Sequence, residues 1–239
     1  MINSSPGKLP KTMLAYLAVL LLLFPLIGMA GGALTAFSRL NRAGMIVLDA
    51  SGRIVISENA EVPLMPASTT KLATAWLALT HWGENHRFRT EFFLDEATQT
   101  LWVKGSGDPY LVSEELGRIA RNLSQKGLKQ VKTIGLDSSL FEAGLLLPGT
   151  GTSDNPYDAV PTAVAANFNT VSVKRVGGQI VSAEAVTPLT PYAEQMARSN
   201  RSGELRVNTG PNPQNAETYF GELLAAFLRK NGVVVGTEI

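Results

Sequence analysis

The strongest constraint on the fold of this chain is a long uncharged segment near its N-terminus. No charged residue occurs from Met13 to Phe37, and Lys8 and Lys11 precede the segment. A basic flank followed by an apolar run is typical of a secretory signal peptide or a signal anchor. The run can span a bilayer, which takes about 20 residues, and Gly28-Met29-Ala30 offers a small-x-small cleavage site. We therefore predict a cytoplasmic tail and signal segment over residues 1–41. Cleavage is left open, because either outcome places the rest outside the cytoplasm, in the periplasm or on the outer face of the membrane.

Composition excludes several classes of protein. The 239 residues include 21 basic and 20 acidic side chains, which gives a net charge of +1 and no argument for nucleic-acid binding. Cysteine is absent, so the chain has neither a disulfide framework nor a thiolate metal site. His81 and His86 are the only histidines and do not form an HExxH motif. We therefore expect no metal and no cofactor, and the oligomeric state is left open.

Short strands and helices alternate along the exported part. Met45–Asp49 and Ile54–Glu58 are β-branched runs around a turn, which predicts a hairpin. The helix that follows, up to Trp82, has apolar residues at Leu72, Ala75, Trp76 and Leu79 and on its other side as well. A helix that is apolar all round is expected to be buried.

Beyond Gly83 the pattern predicts a mixture of further strands and helices. One helix is expected to begin at Ser113 as its N-cap and to stop at Gly127. Residues 144–161 are rich in Gly, Pro, Ser and Thr and predict a long surface loop, and Gly177-Gly178 predicts a hairpin turn. The GSGDP segment at Gly105 lacks the spacing of a phosphate loop, so we expect a turn there. The whole indicates an α+β fold.

Ser68 and Lys71 form the candidate catalytic pair. They are three residues apart where the apolar helix begins, so their side chains share one helical face. The first turn of a helix favours developing negative charge, and a lysine in a dry pocket can accept a hydroxyl proton near neutral pH. The pattern alone is weak, because Ser5-Pro6-Gly7-Lys8 repeats it in the tail. An ordinary Ser N-cap with a solvated Lys remains the alternative.

Several segments together resemble one enzyme family. PLMPASTTKLATAWLAL resembles the nucleophile segment of the class C low-molecular-mass penicillin-binding proteins, which are serine-type D-Ala-D-Ala carboxypeptidases and endopeptidases. His86–Leu116 is similar to the family's F-x-T … L-x-L-x-G-x-G-D-P-x-L stretch, and Ile134–Glu142 and Asn155–Val173 are similar to its insert. Asn215–Gly236 is similar to a later part of that insert, so the resemblance runs from about Gly44 to the end.

The resemblance implies a role for each residue of the pair and a domain organisation. Ser68 is the acyl-enzyme nucleophile and Lys71 its proton acceptor, acting on peptidoglycan stem peptides and acylated by β-lactams. Residues 42–92 are the start of a penicillin-binding/β-lactamase-like transpeptidase domain, and residues 93–239 are a large mixed α/β insert. The resemblance implies no metal and no cofactor.

Two further motifs of the family, S-x-N and K-T-G, have no convincing match. Ser57-Glu58-Asn59 precedes the nucleophile, and Ser153-Asp154-Asn155 lies in the predicted loop. Lys132-Thr133-Ile134-Gly135 has an extra residue, and Asn208-Thr209-Gly210 lacks the cation that would bind a carboxylate. We therefore expect the chain to end before the rest of the catalytic domain and to be weakly active or inactive alone. The alternatives are a non-catalytic, membrane-tethered cell-wall binding protein and, more weakly, a serine β-lactamase. The sequence does not distinguish a carboxypeptidase from an endopeptidase.

Overall fold

A computed structural model describes residues 32–142, 144–198 and 203–238. Most of the predicted signal segment lies outside these residues, although residues 32–38 are helical. Within the described ranges, no helix has both the length and the apolar character needed to cross a membrane. The chain divides into two compact units, one up to Glu84 and one from Asn85. This division lies earlier than the predicted boundary at residues 92 and 93, because the strand that contains both residues belongs to a sheet of the second unit.

The first unit contains the predicted hairpin. Strands β1 (Met45–Leu48) and β2 (Ile54–Glu58) pair antiparallel. The Asp49 carboxylate closes the turn by accepting hydrogen bonds from Ser51 N at 2.8 Å, Ser51 Oγ at 2.6 Å and Arg53 N at 3.0 Å. The hydrogen bonds from the Ser51 hydroxyl and the Arg53 backbone lower the pKa of Asp49 to about 2. The turn is therefore specified by local side-chain chemistry.

Helix α1 (Thr70–Trp82) follows in the same unit and ends at Gly83, whose φ is 76°. The prediction that this helix is buried is wrong for the described residues. Leu72 is 75% exposed, Trp76 66% and Leu79 59%. The apolar pattern is present on the helix, but between residues 32 and 84 no described element covers it. Periodicity indicates that a face needs burial and does not specify what buries it.

The second unit contains a four-stranded sheet. Its strands are β3 (Glu91–Asp95), β4 (Thr100–Lys104), β5 (Gln130–Asp137) and β9 (Val234–Glu238), in the order β3-β4-β5-β9. The β3–β4 pair is antiparallel, whereas β5 is parallel to both β4 and β9. Helix α2 (Ser113–Gln125) connects β4 to β5, and the long helix α4 (Pro213–Lys230) leads into β9. Parallel neighbours need such crossover connections.

A second, antiparallel sheet has three strands in the order β7-β6-β8. They are β6 (Thr170–Val176), β7 (Gln179–Ser182) and β8 (Glu204–Asn208). Gly177 and Gly178 form the predicted turn with φ values of 58° and 84°. A short helix, α3 (Pro191–Ala197), was not predicted, although the Thr190-Pro191 start has a capping hydroxyl that accepts from Ala193 N.

The core of the second unit is built around helix α4. Tyr219, Phe220, Leu223 and Leu228 are at most 1% exposed, and they lie in one cluster with Leu101 and Val103 of β4, Ile134 of β5 and Val171 of β6. One helix therefore packs in a core shared by both sheets. Each buried side chain of this size contributes about 1.5–3 kcal/mol relative to exposure.

Ser113 is not the N-cap of α2. Val112 occupies that position, and Ser113 is buried at the first helical residue. The Asn167 carboxamide oxygen accepts from Ser113 N at 2.8 Å, so the first turn is capped by a side chain from a distant part of the chain. A buried hydroxyl at this position is engaged in tertiary contacts, which local sequence does not show.

Candidate active site

A strained turn holds Ser68 at the entrance to α1. Residues Ala67–Thr69 form a 3₁₀ turn that runs directly into the helix, and Ala67 has a φ of 46°. Such a conformation costs a non-glycine residue on the order of 1–3 kcal/mol, and outliers of this kind cluster at functional sites. Two hydroxyls fix the turn: Thr69 Oγ1 donates to Pro66 O and Thr70 Oγ1 donates to Ala67 O at 2.8 Å. Neither threonine was predicted as part of the site, although both follow Ser68 directly in the sequence.

The two predicted site residues lie together. Lys71 Nζ donates a hydrogen bond to Ser68 Oγ at 2.9 Å, which is the geometry that the spacing predicts. Both side chains are exposed among the described residues, so the dry surroundings expected from a buried helix are not present here. The contact places the hydroxyl and the amine within hydrogen-bond distance of each other.

The N-terminal end of α1 has no side-chain cap, and its first turn contains no acidic residue. The backbone N–H of Thr69 donates to Pro66 O at 3.0 Å and that of Thr70 donates to Ala67 O, so the positive end of the helix dipole is the feature that favours negative charge at this end. An oxyanion that develops next to Ser68 would lie within this field.

The side chains of the S-D-N sequence in the second unit form hydrogen bonds within their own loop. Ser153 Oγ donates to Asp158 at 2.5 Å, and Asn155 Oδ1 accepts from Tyr157 N at 2.9 Å. The hydrogen bonds from Ser153 and Gly151 lower the pKa of Asp158. These side chains therefore have a structural role in shaping the loop.

The two K-T-G-like sequences are also structural. Lys132-Thr133-Ile134-Gly135 lies within β5, where Thr133 Oγ1 donates to Glu238 at 3.0 Å. Asn208 uses its carboxamide to hold the S-D-N loop, donating to Ser153 O and Asn155 O, and Thr209 is fully buried. Neither sequence presents a cation together with a free hydroxyl.

The GSGDP segment is a close-packed turn, as predicted. A Cβ at Gly105 would lie 2.0 Å from Ala163 O, and one at Gly107 would lie 2.7 Å from the Phe141 ring. The glycines are required by neighbouring protein atoms, so nothing in this turn indicates a phosphate site. Within the described ranges, no three His, Asp or Glu side chains are grouped so that they could hold a metal ion.

A serine at the start of a helix with a lysine one turn later, after a β-hairpin, is the arrangement found in serine acyl-transfer enzymes that use an S-x-x-K nucleophile. The particular family follows from comparison with known proteins. The chain belongs to the D-Ala-D-Ala carboxypeptidase 3 (S13) family, whose model matches residues 33–204. The predicted resemblance to the low-molecular-mass penicillin-binding proteins is confirmed.

Two curated relatives carry names of the same kind. A D-alanyl-D-alanine carboxypeptidase from Actinomadura sp. (strain R39) is 30% identical over 160 residues, which cover 64% of this chain and 29% of the relative. A penicillin-sensitive carboxypeptidase A from Dictyostelium discoideum is 27% identical over 139 residues, covering 50% of this chain and 27% of the relative. The chain thus spans less than a third of the length of these relatives.

A solved structure confirms the fold. The crystal structure of penicillin binding protein 4 (dacB) from Haemophilus influenzae matches with a TM-score of 0.52 at 20% identity, covering 78% of this chain and 51% of that one. At this identity the match concerns the fold alone. It confirms the predicted mixed α and β architecture.

Proposed function

We propose that this chain carries the nucleophile of a serine-type D-Ala-D-Ala carboxypeptidase that acts on peptidoglycan stem peptides and is acylated by β-lactams. The observation that carries the proposal is the 2.9 Å contact between Lys71 Nζ and Ser68 Oγ at an uncapped helix start. Family membership and the names of the relatives support the substrate class.

The proposed reaction has two steps. The Lys71 amine takes the Ser68 hydroxyl proton as Oγ attacks the carbonyl carbon of the peptide between the terminal D-alanines. The C–N bond breaks, and the leaving amine takes the proton from Lys71. Water then hydrolyses the ester and restores the Ser68 hydroxyl. Splitting the hydrolysis into acylation and deacylation replaces one difficult step by two easier ones.

Labelling with fluorescent penicillin tests the assignment of the pair. It is measured on this chain and, where the gene encodes more, on the whole gene product. We expect labelling to be weak or absent in the chain alone, because Ser68 and Lys71 are exposed and the sequence contains no K-T-G motif to bind a carboxylate. Ser68→Ala should abolish labelling of the whole gene product, and Lys71→Gln should slow it by about 10²–10⁴-fold, the usual contribution of a general base.

Ser57→Ala is the matched control, because Ser57 is an exposed serine of the same unit. It should label like the parent protein. A whole gene product that binds peptidoglycan but never forms an acyl-enzyme would favour the second candidate, a non-catalytic cell-wall binding protein. The observation in favour of that candidate is that Ser153 and Asn208, in the S-D-N and N-T-G sequences, make hydrogen bonds that shape a loop of the second unit.

We also propose an extracytoplasmic location, either signal-anchored or released after cleavage. The support is the uncharged run from Met13 to Phe37 and the position of the proposed substrate outside the cytoplasm. A periplasmic reporter enzyme fused after residue 239 should be active if the location is correct. Activity of a cytoplasm-only reporter at the same position would contradict it.

A further inference from the structure

The four-stranded sheet has one buried face and one exposed aromatic face. Leu101 and Val103 of β4 are at most 2% exposed on the buried face, while Trp102 between them is 47% exposed on the other. Phe93 of β3 lies directly opposite Trp102 in the antiparallel ladder and is 53% exposed. Residues directly opposite in a ladder share a face, so two aromatic side chains lie next to each other on the solvent side.

Gly135 holds the indole of Trp102 against the sheet. It is the partner of Trp102 in the parallel ladder with β5, and a Cβ built on it would lie 2.5–2.8 Å from three atoms of the indole ring. Any side chain at this position would displace the ring. The indole therefore lies over the backbone of β5 and presents its other side to solvent.

A cavity of about 590 Å³ lies beside this ring, at the carboxyl ends of β4 and β5. Its wall is of mixed polarity. Trp102, Phe141 and Leu136 are apolar, and the polar side chains are Asp137, Ser138, Glu142, Gln214 and Glu217. No lysine or arginine is among its lining residues. Its volume is in the range of small-molecule sites, about 300–1,000 Å³.

The lining selects the chemistry of a ligand. Three carboxylates without a cation disfavour an anion, which argues against phosphates and nucleic acid. Carboxylates accept hydrogen bonds, and Ser138 and Gln214 can both donate and accept, so the ligand should be rich in neutral donors and acceptors. The exposed ring offers a flat apolar surface on which the apolar face of a ligand can stack. A sugar ring satisfies both conditions, because its C–H face is apolar and its rim carries hydroxyls.

We propose that the Trp102 surface and the adjoining cavity bind a neutral oligosaccharide, with one sugar stacked on the indole and its hydroxyls bonded to Asp137 and Glu217. The expectation that the sugar is N-acetylated rests on the proposed function, because the peptides of peptidoglycan are attached to an N-acetylated glycan. The site would hold the glycan while the peptide is processed elsewhere on the protein.

Calorimetric titration of the whole chain with a β-1,4-linked tetramer of N-acetylglucosamine tests the site. We expect saturable binding that Trp102→Ala weakens by about tenfold or more, the loss typical of a central aromatic anchor. Glu217→Gln, which keeps the shape, should weaken binding several-fold. Gly135→Ala should do the same because its Cβ displaces the ring. Trp76→Ala, at an exposed tryptophan of the first unit, should bind like the parent.

Several outcomes would overturn the proposal. One is binding that is unchanged in both Trp102→Ala and Glu217→Gln when circular dichroism shows both variants folded. If the parent protein binds maltotetraose as tightly as the N-acetylglucosamine tetramer, the expected preference for an N-acetylated sugar is wrong. If the tetramer does not bind and Trp102→Ala instead abolishes a concentration-dependent dimer, the face is a self-association surface. If the parent protein is labelled by penicillin at Ser68 but does not bind the tetramer, only the glycan site is overturned. If it binds the tetramer but is not labelled, only the proposed function is overturned.

Discussion

Asn167 shows how one side chain joins two distant parts of the second unit. Its Oδ1 accepts from Ser113 N at 2.8 Å, and its Nδ2 donates to Ser113 Oγ at 2.9 Å and to Tyr219 OH at 3.4 Å. Asn167, Phe168 and Asn169 have φ values of 48°, 59° and 51°, three consecutive left-handed residues without a glycine. Asparagine tolerates this region better than most residues, and the buried hydrogen bonds offset the strain.

Replacing Asn167 by alanine should therefore be severely destabilising. The variant leaves the start of α2 without its capping carboxamide oxygen and places alanine in a left-handed conformation. We expect a loss of about 2–4 kcal/mol in the free energy of unfolding, measured by urea denaturation. Asn122→Ala, at an exposed position of α2, is the control and should change it by less than about 0.5 kcal/mol. Equal losses in the two variants would show that the Asn167 network contributes nothing.

Asp49 makes the hairpin sensitive to acid. Its pKa in the folded protein is about 2, below the usual 3.8, mainly because the Ser51 hydroxyl and the Arg53 backbone donate hydrogen bonds to the carboxylate. A lowered pKa means that the stabilisation is present above about pH 4 and is lost as the pH falls towards 2. A carbon-detected NMR titration should give a midpoint near 2 for Asp49. In Asp49→Asn, the amide shifts of Ser51 and Arg53 should no longer change between pH 4 and pH 2, and an ordinary midpoint near 4 in the parent would contradict the account.

At the scale of elements, the residue that follows β4, Gly105, lies very close to the backbone of Ala163. Gly105 N donates to Asp137 O at 3.1 Å, and a Cβ on Gly105 would lie 2.0 Å from Ala163 O and 2.4 Å from Ala163 C. Backbone atoms cannot move aside as a flexible side chain can. The residue after β4 must therefore be glycine for the segment around Ala163 to cross it.

Gly105→Ala should lower the free energy of unfolding by about 2–3 kcal/mol, the upper range for an overpacked core. Gly117→Ala is a useful comparison, because its Cβ would meet only the Phe227 ring at 3.3 Å and alanine favours the helix. That variant should stay within about 1 kcal/mol of the parent. Thermal denaturation of both variants measures the difference, and similar melting temperatures would mean that the turn relaxes without cost.

At the scale of the whole molecule, burial is unevenly distributed between the two units. Between residues 32 and 84 no described side chain is fully buried, whereas the second unit contains the entire cluster around α4. Amides that lie in a packed core exchange with solvent only through large openings, while poorly packed segments open locally. The two units should therefore differ in local stability.

Hydrogen exchange on the whole chain should show this difference. Amides of α4, such as those of Leu223 and Leu224, should be the most strongly protected, and amides of α1 should exchange at least about 100-fold faster. A ligand or partner that covers α1 should slow its exchange without affecting α4. Protection of α1 equal to that of α4 in the isolated chain would contradict the distribution of burial.

Much of the local structure followed from the sequence by itself. Turn chemistry and periodicity within a few residues determine the β1–β2 hairpin, the Gly177-Gly178 turn and the C-terminal ends of α1 and α2. The Ser68–Lys71 contact followed for the same reason, because three residues of helix fix the distance between two side chains. Family resemblance was also carried by contiguous segments.

Tertiary structure alone decided what each face contacts. Sequence predicted a buried α1, but burial depends on a covering surface that no periodicity specifies. It assigned Ser113 to a helix cap, whereas Asn167, far along the chain, takes that role because the fold brings the two together. The position of Trp102 over Gly135 depends on the parallel register of β4 and β5, which a crossover helix separates in sequence. Interactions within one turn are fixed by the order of residues, and interactions between elements are fixed only when the chain packs.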